Sequence, residues 1–201
     1  MKSNPAMEKH FQYDAKSPLT KDDLRRIMKE KRSAQNKEEI QEISKKICVK
    51  LKEGLLSLPD LKKMLVAVYL PSPKEIDILP FIHFLLENKI PVVSPRWNGK
   101  TYDLGRIKSL EDEDLQKGPM GIFEAKDENL VAPNEFTLWI VPCIAFTPSG
   151  KRIGYGGGWY DRLLCQAEPS SIKIGVACKF QVIENFQSEP HDITLNKVIS
   201  F

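Results

Sequence analysis

Met64-Leu-Val-Ala-Val-Tyr-Leu70 is an uninterrupted apolar run rich in β-formers. A strand with one face in water alternates apolar and polar side chains. A run this continuous and this short predicts a strand buried on both faces. Ile90–Val93, Leu138–Val141 and Ile172–Ala177 have the same character. Helical stretches fall between them: a short helix is expected over Leu79–Leu86, and another begins near Tyr160 and carries Leu163 and Leu164. Strands alternating with helices make βαβ units. The expected fold is therefore α/β, a single compact three-layer domain around a mostly parallel sheet.

Upstream of that core the chain opens with two helices. Thr20 and Asp23 have the spacing of a capping box, and Leu24, Ile27 and Met28 follow at helical intervals. Asn36 and Glu39 repeat the cap before the stripe Ile40, Ile43, Ile47 and Leu51, with Gly54 as the expected stop. Residues 1–18 read as a polar tail and 19–201 as the folded domain. The charged segment Asn98–Pro133 reads as irregular excursions with short strands.

Composition narrows the function classes. With 30 basic and 27 acidic residues the net charge is +3, enough to favour an anionic ligand but without a basic tail for nucleic acid. The longest apolar run, Leu138–Phe146, is interrupted by Pro142 and falls short of the roughly 20 residues that cross a bilayer. The polar N-terminus lacks the apolar core of a secretory signal. A cytoplasmic monomer without membrane or nucleic-acid partners is expected. Cys48, Cys143, Cys165 and Cys178 form no C-x-x-C pair and stand apart from His10, His83 and His191, so free thiols are expected rather than a zinc site.

In a parallel sheet ligands bind beyond the carboxyl ends of the strands, which directs attention to the loops after Leu70, Val141 and Ala177. The richest is Pro148-Ser-Gly-Lys-Arg-Ile-Gly-Tyr-Gly-Gly-Gly-Trp-Tyr-Asp-Arg162. Gly154, Gly156, Gly157 and Gly158 allow close backbone approach, and their N–H groups ahead of a helix would make an anion nest. Lys151, Arg152 and Arg162 add positive charge. The loop is not a P-loop, and Trp159 stands where a dinucleotide fingerprint needs its last glycine. A plain flexible turn fits the same composition. Trp159 and Tyr160 fit either a stacking surface for a flat heterocycle or the first core contacts of the helix.

Leu138-Trp-Ile-Val-Pro-Cys-Ile-Ala-Phe146 followed by Gly150-Lys-Arg-Ile-Gly-Tyr-Gly-Gly-Gly-Trp-Tyr-Asp-Arg162 resembles the signature of the 5-formyltetrahydrofolate cyclo-ligase family. The resemblance runs from about Lys21 to the C-terminus through Lys21-Asp-Asp-Leu-Arg25, Glu75-Ile-Asp77, Pro95-Arg-Trp97, Gly118-Pro-Met-Gly-Ile-Phe-Glu124 and His191-Asp192. It implies an ATP- and magnesium-dependent enzyme. The formyl oxygen of 5-formyltetrahydrofolate takes the γ-phosphoryl group, the neighbouring nitrogen attacks the activated carbon, and 5,10-methenyltetrahydrofolate, ADP and phosphate are released.

The resemblance also implies roles. Arg152 and Tyr160 become the catalytic pair. Lys21, Arg25, Arg152, Ile153, Gly154, Tyr155, Gly156, Gly157, Gly158, Trp159 and Tyr160 become ATP contacts. Leu70, Glu75, Tyr155, Gly156, Gly157, Gly158 and Trp159 become folate contacts, and Asp161 and Asp192 become magnesium ligands. The residues alone leave plainer readings open. Lys21 and Arg25 would also suit a solvated helix face, Leu70 core packing, Asp161 a helix cap and Asp192 a turn. Asp77 reads as an N-cap and His191 as structural. Trp159 stands where the family usually has tyrosine, Thr147 where aspartate is common, Ala125 where proline is common and Cys143 where glycine is usual. Another ATP-dependent enzyme on this scaffold and a non-catalytic nucleotide or folate binder are the competing readings.

Overall fold

The computed structural model describes residues 19–119, 121–126, 130–135 and 137–201, so the reading of the 1–18 tail lies outside the described residues. Helices α1 (Lys21–Ser33) and α2 (Lys37–Leu56) precede strand β1 (Val66–Ala67) and helix α3 (Leu79–Glu87). Strands β2 (Val92–Trp97) and β3 (Tyr102–Ile107) follow, then the pair β4 (Leu115–Lys117) and β5 (Phe123–Ala125). The second half contains β6 (Leu138–Val141), β7 (Ala145–Phe146), β8 (Arg152–Ile153), α4 (Trp159–Leu164), β9 (Ile172–Ala177) and β10 (Lys197–Ser200). The main sheet has the order β10-β9-β6-β1-β2-β3. Every pairing in it is parallel except the β2–β3 edge.

The three layers follow from the alternation of side chains along the buried strands. Val66, Val68, Leu138 and Ile140 pack on one face against Ile47, Leu51 and Leu55 of α2 and Phe81, Ile82 and Leu85 of α3. Leu65, Ala67, Trp139 and Val141 pack on the other against Phe146 and against Leu163 and Leu164 of α4. Helix α1 lays Leu24 and Met28 on Ile144, Ala145 and Ile153, which ties the N-terminus to the β7–β8 ribbon. Phe146 is fully buried, and a Cβ on Gly175 would stand 2.3 Å from its ring. Phe146→Ala is therefore expected to cost about 3–5 kcal/mol, measured by denaturant unfolding.

The capping box forms: Asp23 N–H donates to Thr20 Oγ1, and Thr20 N–H to Asp23 Oδ2, both at 3.2 Å. Asp77 Oδ1 accepts from Leu79 N–H at 2.9 Å, but the N-cap of α3 is Ile78, so Asp77 stands one residue before the cap position expected of it. Several local expectations need correction: of the run Met64–Leu70 only Val66–Ala67 pairs as a strand, and the strand read over Ile90–Val93 runs from Val92 to Trp97. Asn36 accepts from Glu38 N–H rather than joining a box with Glu39. Helix α2 runs through Gly54 to Leu56, because Leu51 and Leu55 are both held in the core. Finally, Tyr102–Ile107 is a six-residue strand inside the segment read as irregular, and β10 forms a further edge. Cys48, Cys143 and Cys178 are buried free thiols, and Cys165 is exposed and free. Burial pushes the Cys48 thiol up to about 11, which suits an inert packing role. Among the described residues no helix is long and apolar enough to cross a membrane.

Candidate active site

The β7–β8 ribbon pairs Phe146 with Arg152 and so anchors the start of the glycine loop in the core. Beyond Ile153 the chain turns through Gly156 at φ +103° and Gly158 at φ +63° into α4. Both values lie in the left-handed region that suits glycine. A Cβ on Gly157 would approach Trp159 Nε1 to 2.4 Å, so the indole can lie over the loop only because that residue lacks a side chain.

Helix α1 holds this loop from outside. Arg25 Nε donates to Gly154 O at 2.9 Å. Arg32 donates to Tyr155 Oη at 2.6 Å and to Cys143 O at 3.0 Å. The Tyr155 hydroxyl donates to Glu75 Oε1, while Glu75 Oε2 accepts from Ser72 N–H at 2.8 Å. The loop after β1 and the glycine loop are therefore linked through one hydroxyl.

Arg152 is the hub. It is 3% exposed, its Nη2 donates to Asp161 Oδ1 at 2.5 Å, and its guanidinium lies 5.8 Å from the Tyr160 ring centre. Among the described residues its Nε is buried without a hydrogen-bond acceptor, an unmet donor at the centre of the site. Asp161 Oδ1 also accepts from Ile193 N–H at 3.3 Å, which joins α4 to the loop after β9.

Two clefts meet at this hub. One is walled by Tyr69, Leu70, Tyr102, Trp159 and Tyr160 and carries Glu75 at its polar edge. The other is polar and is lined by Lys21, Arg25, Ile153, Gly156, Glu189 and Asp192. Arg152, Gly154, Gly158 and Asp161 line both. The structure thus gathers every candidate residue but divides them. Tyr155, Gly157, Trp159 and Tyr160, expected to touch ATP, line only the aromatic cleft, and Gly156, expected on both sides, lines only the polar one.

Trp159 belongs to a trio that sequence reasoning did not find. Its ring lies 5.5 Å from Trp97 and 5.2 Å from Tyr102, which are themselves 5.2 Å apart, and Arg162 lies 4.1 Å from its ring centre. The available signal was Asn98-Gly99, a hairpin dipeptide between two β-forming stretches. Burial and the charge of Glu75 push the Tyr160 phenol well above its ordinary range, so it stays protonated and able to donate.

In the polar cleft Lys21 Nζ donates to both oxygens of Asp192, at 2.6 and 2.8 Å, and to Glu189 Oε2 at 2.6 Å. Burial opposes charge on both Lys21 and Asp192, but their mutual hydrogen bonds and attraction prevail: the lysine is raised and the aspartate lowered. A lowered acid contributes stability above its unfolded pKa and loses it as pH falls through the folded one. A raised base contributes below its unfolded pKa and loses it as pH rises. The pair therefore acts between the ordinary aspartate value of 3.8 and the ordinary lysine value of 10.5. Lys21→Met is expected to lower stability at pH 7 and to match the parent protein once acid has protonated Asp192, measured by urea unfolding across pH.

Asp161 and Asp192 both line the polar cleft, but among the described residues the group compact enough to share an ion is Glu189, His191 and Asp192. Asp161 instead holds Arg152. The donor set of that cleft is mainly carboxylate oxygen, which suits magnesium.

A family model described as the 5-formyltetrahydrofolate cyclo-ligase family matches residues 18–200. A 5-formyltetrahydrofolate cyclo-ligase of Mycoplasma genitalium is 32% identical over 182 residues, which cover 90% of this chain and 98% of that one. The NMR structure of Aquifex aeolicus 5,10-methenyltetrahydrofolate synthetase superposes with a TM-score of 0.76 at 32% identity, covering 90% of each chain. A 5,10-methenyltetrahydrofolate synthetase from Mycoplasma pneumoniae gives 0.71 at 29% identity, covering 90% of this chain and 98% of that one. With the match spanning nearly the whole chain and the sheet, glycine loop and paired clefts in place, the chain belongs to the 5-formyltetrahydrofolate cyclo-ligase family.

Proposed function

We propose that this chain converts 5-formyltetrahydrofolate to 5,10-methenyltetrahydrofolate, using ATP and magnesium and releasing ADP and phosphate. The observation that carries the reading is the meeting of a polar cleft and an aromatic cleft at Arg152 and Asp161. A phosphoryl transfer between two bulky substrates needs two adjoining sites and a cation where they meet. An amide oxygen is a poor leaving group, and phosphorylation makes it a good one.

In this reading the triphosphate lies in the polar cleft, where Lys21 and Arg25 neutralise it and the loop at Gly154, Gly156 and Gly158 lets it approach the backbone. Asp192, with Glu189 and His191 close enough to share an ion and Asp161 lining the same cleft, would hold magnesium, which would supply charge neutralisation on the transferring phosphate. The pterin enters the aromatic cleft, where Glu75 accepts paired hydrogen bonds from its amino-pyrimidine and Leu70, Tyr155, Gly157 and Trp159 wall it. Arg152, with its unmet Nε, faces the oxygen that gains charge, and the neutral Tyr160 phenol donates beside it. The same proposal takes the protein as a monomer with residues 19–201 as its catalytic unit.

ADP release measured with and without the folate tests the reading against its rivals. ADP formed one for one with folate consumed, and only with magnesium, supports it. ADP release driven by another metabolite, with the folate inert, would favour a different ATP-dependent enzyme. Tight folate binding without ADP would favour a binding protein.

A further inference from the structure

Glu124 is a carboxylate of the aromatic cleft to which no role has yet been given. It lies on β5, is only 5% exposed, and lines the cleft whose walls are largely apolar. Its Oε2 accepts from Trp97 N–H at 2.9 Å. Its Oε1 lies against Gly118, where an added Cβ would come within 2.1 Å, so this approach depends on glycine. Among the described residues its only hydrogen-bond donor is that backbone N–H. A buried carboxylate held in this way at a ligand cleft is an expensive feature for packing alone.

Its neighbours say which part of a folate it would meet. Glu75, with Ser72 and Tyr155, marks the polar end taken above for the amino-pyrimidine. Glu124 lines the same cleft beside a different group of residues, bonded to the backbone of Trp97, whose ring packs on Tyr102 and Trp159. That trio suits the aromatic ring attached to N10 of the folate. We infer that Glu124 is the base that accepts the N10 proton during ring closure. The inference rests on the function proposed above and deepens it.

The step balances. The N10 lone pair forms a bond to the activated formyl carbon, and the N10–H proton passes to the Glu124 carboxylate. The carbon–oxygen bond to phosphate then breaks, the oxygen keeps its electron pair, and the ring is left as the methenyl cation. Burial raises the Glu124 carboxyl above its ordinary range, opposed by the Trp97 N–H and by Arg96 of β2, so it is a better base than a solvated carboxylate. The other ionisable group coupled to it is Tyr102 of β3, whose phenol burial and Glu124 both raise, so it stays neutral. Its partner on β4, Gln116, carries no charge.

The test separates the two chemical steps in a single turnover, with quenched-flow ADP and methenyl absorbance followed together. Glu124→Gln keeps the shape and an acceptor for Trp97 N–H but removes the base. ADP formation is expected within threefold of the parent protein, while methenyl formation slows by about 10²–10⁴-fold. Methenyl formation at the parent rate, or ADP and methenyl falling together, would overturn the inference. The unsubstituted protein gives a second reading: ring closure should lose rate as acid protonates Glu124 while ADP formation does not, and identical pH dependences would contradict it. If the unsubstituted protein forms no methenyl product, the parent function fails. If it turns over and Glu124→Gln is unaffected, only the base assignment fails.

Discussion

Arg152→Ala is expected to lower kcat about a thousandfold, since removing one preorganised donor from a developing oxyanion typically costs 10²–10³ and this guanidinium serves both clefts. Its side chain is almost fully buried, so no solvent cation takes its place. Among the described residues, the change also leaves Asp161 with only the Ile193 N–H as a hydrogen-bond donor. That carboxylate keeps 17% of its side-chain surface in water, so the loss of stability stays below the roughly 3–5 kcal/mol of breaking a fully buried pair. Arg152→Lys restores charge but not the planar fork and should recover about tenfold at most. Steady-state turnover with a thermal melt on the same sample checks both points. A folded Arg152→Ala protein with kcat within threefold of the parent would remove Arg152 from the reaction.

Glu75→Ala should act on one substrate only. A charge-assisted hydrogen bond contributes about 1.5–3 kcal/mol, so losing the carboxylate should raise KM for the formyl-folate roughly 10- to 150-fold. The KM for ATP should stay within about twofold, because Glu75 lines the aromatic cleft and not the polar one. Glu75→Gln keeps an acceptor for Ser72 N–H or Tyr155 and should fall between. Initial rates with each substrate varied in turn decide this. Equal loss for both would mean that Glu75 supports the glycine loop through Tyr155 rather than holding the folate.

Some of this architecture was legible because burial on both faces leaves a plain mark. Leu138–Val141 and Ile172–Ala177 were read residue for residue, since central parallel strands are continuous apolar runs. Tyr102–Ile107 was missed because an edge strand tolerates the half-exposed Asp103 and Arg106, which make it look like a charged loop. Lys197–Ser200 escaped for the same reason at the opposite edge. In the site, the glycine loop announces itself by composition. The contacts that hold it do not: Arg32 reaches Tyr155 and Lys21 reaches Asp192 across 123 and 171 residues of chain. Periodicity reports only local structure, so such pairings need the fold. Glu124 gave no sign of burial because a carboxylate is ordinarily exposed even beside Ile122, Phe123 and Ala125, and it is the β4–β5 hairpin that turns it inward. The division of the loop between the two clefts was likewise invisible, since neighbouring residues of one loop line different clefts.

The central claim, that the chain closes a ring on 5-formyltetrahydrofolate at the expense of ATP, is tested most directly by mixing the purified protein with that folate and following the near-ultraviolet absorbance of the methenyl product. Growth of that band only when both ATP and magnesium are present, and its loss on chelation, is the expected result. A folded protein that binds ATP and the folate yet produces no band with both present would contradict it.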